Sequence, residues 1–150
     1  MTISGFFEKD HDEIDAILTL VNFSDAKGGL AKLEEFSSRL ERHIVWEEDI
    51  LFPAVARVAP QFEQGPISVM LMEHVGIRGR KKDALGALRA GDGRRAKGFI
   101  DEMLGILGPH NMKEEHILYP ACDQLLAGAP AEEILAIVTR GLSTKTERSA

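Results

Sequence analysis

A single cysteine, Cys122, denies this chain an internal disulfide, and the missing second thiol excludes zinc–thiolate and iron–sulfur sites as well. Cys122 itself reads as a small buried hydrophobe. No uninterrupted apolar stretch approaches the roughly eighteen residues that cross a bilayer. The opening MTISGFFEKDHDE turns acidic too soon for the apolar core of an export signal, so a cytoplasmic protein without membrane contacts is expected. Aromatic residues make up only 6% and the formal charge is -6, so the chain lacks both the stacking platforms and the cationic surface that nucleic acid requires. Its one basic cluster, Arg78, Arg80, Lys81 and Lys82, runs straight into Asp83 and reads as a solvated helix face.

What is present is helical periodicity. A hydrophobic share of 44% beside a charged share of 28% describes a globular domain, and 150 residues suffice for one core. Phe7, His11, Ile14, Leu18 and Val21 mark one helix face. Leu33, Phe36, Leu40, His43, Glu47, Ile50 and Ala54 mark a second, and Ile67, Met70, His74, Ile77, Lys81, Ala84 and Leu88 a third. Phe99, Met103, Ile106, His110, Glu114, Ile117 and Ala121 mark the fourth. Breakers separate them at 24–29, 60–66, 90–93 and 127–130. Short connections between long helices force antiparallel neighbours, so the expected fold is all-α: an up-down-up-down four-helix bundle over about 3–127. A shorter helix over 131–142, opened by Pro130, and a frayed tail at 143–150 complete the single domain.

The chain also repeats itself. HIVWEEDILFP, from His43 to Pro53, returns as HNMKEEHILYP, from His110 to Pro120. KDHDEI around His11 and MEHVGI around His74 extend the likeness, so helices 1 and 2 resemble helices 3 and 4 as an internal two-fold repeat. Pro53 and Pro120 occupy the same place in both halves and should kink their helices or end them nearby.

Each helix thus brings one histidine to its apolar face, and helices 2 and 4 add a glutamate one turn later. Side chains at i and i+4 share one side of a helix. Two carboxylates buried without compensation would cost several kcal/mol each, so a cation belongs between them. Two metals satisfy the pattern: His11 with His43 on one, His74 with His110 on the other, and Glu47 with Glu114 bridging. Positions then remain for an oxo or hydroxo bridge and for an outside ligand. Nitrogen and oxygen donors suit iron or manganese, and zinc stays open. Glu48 and Glu115 lie about 100° round the helix from the bridging pair and are expected in salt bridges or in bonds to the ligands. His116 is expected at the surface or in a bond to a ligand rather than as a ligand itself. Asp15 and Arg78, each one turn after a ligand histidine, are either an extra ligand and a misfit or a compensating pair.

The order His11, His43-x-x-x-Glu47, His74, His110-x-x-x-Glu114, with its EExILFP and EExILYP extensions, resembles the hemerythrin-like family, also called HHE cation-binding domains. The resemblance covers roughly residues 3–127. It implies a four-helix bundle around a non-haem di-iron centre, with oxygen or nitric oxide as the ligand; peroxide is a further ligand expected here. Oxygen carriers of the family have a further histidine where this chain has Arg78, and an aspartate where it has Glu114. Sensing, scavenging or a stress response is therefore expected before simple oxygen carriage. An oxidoreductase or iron donor for repair of damaged iron centres, and a metal-stapled structural or adaptor domain, are the alternatives.

Overall fold

A computed structural model describes residues 1–142 in full and the backbone as far as Ser149. The tail expected at 143–150 lies outside the fully described residues. The chain is all-helical, with no strand among the described residues. Helix α1 spans Ile3–Thr19 and α2 Ala26–Trp46. A π-helical turn, Glu47–Leu51, leads straight into α3, Phe52–Val58. After a short 3-10 turn come α4, Pro66–Arg89, and α5, Gly93–Lys113. A second π turn, Glu114–Leu118, leads into α6, Tyr119–Leu125, and α7 covers Ala129–Ser149.

Local chemistry sets these boundaries. Side-chain oxygens of Thr2, Asp25 and Asp92 accept from the backbone N–H groups of Gly5, Gly28 and Arg95, capping α1, α2 and α5. Helix α4 closes in a Schellman motif: the Asp92 N–H donates to the Ala87 carbonyl and the Gly91 N–H to Leu88, with Gly91 at φ 81. The chain then re-enters a helix so tightly that a methyl on Gly93 would collide with the Phe23 carbonyl oxygen. A methyl on Gly79, by contrast, meets no atom within 4 Å. Gly79→Ala is therefore expected to stabilise the protein by about 0.5–1 kcal/mol, and Gly93→Ala to destabilise it. Urea denaturation of both variants checks the opposite signs.

Pro53 and Pro120 each stand just after an interruption of the α-helix, and α3 and α6 end soon beyond them, at Val58 and Leu125. Each follows a π turn, in which the N–H of Phe52 donates to the Glu47 carbonyl and that of Tyr119 to Glu114. A proline has no N–H to give, and the wider turn takes up the lost bond one residue earlier. The extra width also rotates the face. Leu51 and Leu118 are buried where Ile50 and Ile117 were expected, and Ile117 is 65% exposed.

Helix α4 packs most closely on α5, α2 lies against both α1 and α4, and α1 touches α6 and α7. The apolar side chains form two cores. One gathers Phe7, Leu51, Phe52, Met70, Leu118, Cys122 and Val138, the other Ile14, Phe36, Leu40, Ile77, Leu88 and Met103. Along α1 the order is Phe7, His11, Ile14, and along α4 it is Met70, His74, Ile77, so a layer of polar residues separates the two cores.

Candidate metal centre

That layer consists of buried side chains. His11, His43, Glu47, His74, His110 and Glu114 are all excluded from solvent, both glutamates completely. Two groups of ligand atoms lie within 4.8 Å of one another: Glu47, His74, His110 and Glu114, and His11, His43 and Glu114.

Each glutamate divides its oxygens between the two histidine pairs. Glu47 Oε1 lies 3.2 Å from His74 Nε2 and its Oε2 3.5 Å from His43 Nε2. Glu114 Oε1 lies 3.2 Å from His11 Nε2 and its Oε2 3.4 Å from His110 Nε2. The pairing follows the internal repeat: α1 and α2 carry one histidine pair, and α4 and α5 carry the other. The two π turns sit at these glutamates, and such turns recur where a helix must re-aim a functional side chain.

All four imidazoles are oriented from behind. His43 Nδ1 donates to Asp10 at 2.8 Å, His11 Nδ1 to Glu115 at 2.8 Å, His74 Nδ1 to Glu48 at 2.8 Å and His110 Nδ1 to Glu73 at 3.0 Å. A donor at Nδ1 directs Nε2 to the centre, the arrangement in which carboxylates orient metal-binding histidines. Three of the four outer carboxylates carry a cation in turn: Arg39 on Asp10, Arg78 on Glu48 and Lys113 on Glu73. Glu48 and Glu115 thus play the outer role expected of them, and His116 is exposed.

Arg78 does not pair with Asp15. Its guanidinium binds Glu41 at 2.8 Å and Glu48 at 3.0 Å. The two carboxylates lie on the neighbouring α2 and its π turn, whereas Asp15 belongs to α1. Arg78 reaches the centre through Glu48, which holds His74. Arg78→Ala should therefore lower metal affinity by less than about tenfold and leave the amount bound at saturation unchanged, because it stands one bond further out than the partners whose loss costs 10–100-fold. Competition with a chromophoric chelator measures the difference.

Several contributors escaped the periodicity. Asp10 and Glu73 directly precede His11 and His74 in both halves, and that repetition was their signal. Tyr119 was hidden at an aromatic position that reads as core. Its buried hydroxyl donates to Glu47 Oε2 at 2.6 Å and also stands 3.0 Å from Glu114 Oε1.

The electrostatics call for positive charge. Burial opposes ionisation of Glu47, yet the charge of His43 and hydrogen bonds from the surrounding groups hold its carboxyl well below the usual range. Burial would lower His43, but the Glu47 charge and the Asp10 hydrogen bond raise it to about 10. Tyr119 is pushed well above its ordinary value by burial and then by the charges of Glu114 and Glu47. The charge on His43 offsets part of this buried negative charge, and the neutral Tyr119 hydroxyl adds a hydrogen bond. Even so, Glu114 Oε2 is buried with no hydrogen-bond donor. An acceptor left unpaired in such a place costs free energy that a cation would remove, so this donor set fits a metal.

A helical protein with a buried histidine–glutamate cluster able to hold metal is the class so defined. The family profile of the hemerythrin HHE cation-binding domain matches residues 2–122, and the chain belongs to that family. No curated protein and no solved structure matches it. Among the described residues no helix is long and apolar enough to cross a membrane.

Proposed function

We propose that this chain is a non-haem di-iron protein that binds or reacts with a small diatomic or peroxide ligand, in oxygen or nitric oxide sensing, scavenging or a stress response. The observation that carries the reading is the division of Glu47 and Glu114, each with one oxygen toward each histidine pair. In this reading His11 and His43 hold one ion, His74 and His110 the other, and the two glutamates bridge. The helices that carry them, with their antiparallel connections, are read as an up-down-up-down four-helix bundle.

Donors that are all nitrogen and oxygen favour iron or manganese over ions that prefer thiolate. When bound, such a pair supplies electrons and open coordination positions to a small ligand. The protein's own part is orientation and exclusion. Asp10, Glu48, Glu73 and Glu115 fix the imidazoles, and the two apolar cores close the centre above and below.

Arg78 argues against simple oxygen carriage. It stands where carriers of the family have a further imidazole, and Glu41 and Glu48 hold its guanidinium. A guanidinium offers no lone pair to a metal, so the neighbouring position stays available. The setting we propose is the cytoplasm, where a lone thiol such as Cys122 stays reduced. Anaerobic reduction of iron-loaded protein, followed by air and watched by absorption, tests the reading. A spectrum that changes on oxidation and on addition of nitric oxide is expected, and a colourless protein containing zinc alone would refute it.

A further inference from the structure

The two halves of the repeat differ in the polar atom that one aromatic position brings to the centre. Phe52 follows Glu47 at the place where Tyr119 follows Glu114. Phe52 stacks on the His74 imidazole, with ring centroids 6.1 Å apart and planes 10° from parallel, and brings no polar atom. Tyr119 is the only tyrosine of the chain. Its oxygen stands 2.6 Å from Glu47 Oε2, 3.0 Å from Glu114 Oε1, 3.1 Å from His43 Nε2 and 3.2 Å from His11 Nε2.

Hydrogen bonding accounts for part of this crowd, since the phenol oxygen can accept from an imidazole N–H, but not for both carboxylates. A phenol has one proton to give, and two carboxylates compete for it. Donors gathered round one octahedral ion have a different relation. With bonds of about 2.1 Å meeting at right angles, neighbouring donors stand about 3 Å apart, the bond length multiplied by the square root of two. The four separations from the Tyr119 oxygen lie around that value, as does the 3.2 Å between His11 Nε2 and Glu114 Oε1.

We propose that Tyr119 is a further protein ligand, as phenolate, to the metal held by His11 and His43, and that the outside ligand is taken by the other metal, at His74 and His110. The inference rests on the di-metal reading above and deepens it. The phenolic proton is released when the metal binds, as for any protonated ligand. One position then has five protein donors: two imidazoles, one oxygen of each glutamate and the phenolate. The other has four, with the Phe52 ring in place of a fifth. The unequal halves make one metal a closed anchor and the other an open one.

The test compares wild type with Tyr119→Phe, both loaded with ferric iron, by metal analysis, visible absorption and resonance Raman. The wild type is expected to show a phenolate-to-iron charge-transfer band with enhanced tyrosine ring vibrations, assignable to Tyr119 because no other tyrosine exists. Tyr119→Phe should keep its iron and lose the band. Azide should bind the wild type and leave the band in place. Iron-loaded wild type without a phenolate band overturns the ligation whether or not the variant folds, and so does a band that survives in Tyr119→Phe. A band abolished by azide overturns the assignment of the open side. A chain that takes up no metal refutes the di-metal reading itself, and the metal analysis reports that separately from the spectrum.

Discussion

Glu47→Ala and Glu114→Ala should each strip the protein of most of its bound metal, even when metal is supplied in excess. The reason is geometric. Each of these glutamates faces both histidine pairs, so truncating one removes an oxygen donor from both positions at once. It also removes the charge that makes a fully buried cation tolerable. Glu48→Ala and Glu115→Ala should behave otherwise. These neighbours accept from His74 and His11 Nδ1, so their loss misorients a ligand without removing one. Affinity should fall about 10–100-fold while the amount bound at saturation stays near that of the wild type. Metal analysis at saturation, set beside competitive titration with a chelator, separates the two kinds of effect. Equal loss of stoichiometry in all four variants would mean that the bridging role has been given to the wrong residues.

Withdrawing the metal should lower the melting temperature by on the order of 10 °C. A ligand present at a thousand times its dissociation constant stabilises the state that binds it by about 4 kcal/mol, and in a chain of this size each kcal/mol shifts the midpoint by about 2–4 °C. The centre supplies the physical cause. Without metal the chain must offset two completely buried carboxylates with the charge on His43 and a hydrogen bond from Tyr119, and Glu114 Oε2 still lacks a donor. Calorimetry with and without chelator, with metal content measured in both samples, checks the shift. An unchanged midpoint after confirmed removal would show that the protonated network compensates fully.

Much of the fold could be read from spacing because helical burial is a local property. The face Ile67, Met70, His74, Ile77, Lys81, Ala84 and Leu88 of α4 is buried at every position. Lys81 shows how such a face tolerates charge: its Nζ reaches out to the Ser37 carbonyl and to Glu41. The same reasoning failed at Ile50 and Ile117, since a period of 3.6 assumes an unbroken helix and each of these residues lies within a π turn.

At the centre the sequence by itself determined which polar residues share the core, because a histidine and a glutamate one turn apart on an apolar face must be buried together. The repeat also determined that they come in two equivalent halves. Only the tertiary structure decided what stands behind and beside them. That Asp10 orients His43 rather than its neighbour His11, that Glu115 reaches across from the π turn to His11, and that Arg78 turns to Glu41 and Glu48 are contacts between different helices. Their partners depend on the rotation of one helix against another. Tyr119 is the clearest instance: in sequence it is an aromatic residue before a proline, and the π turn places its hydroxyl among Glu47, Glu114, His11 and His43. Helical period follows from a residue's own backbone, whereas the company kept by a buried oxygen is settled only when separate helices pack and every polar atom between them competes for the same few partners.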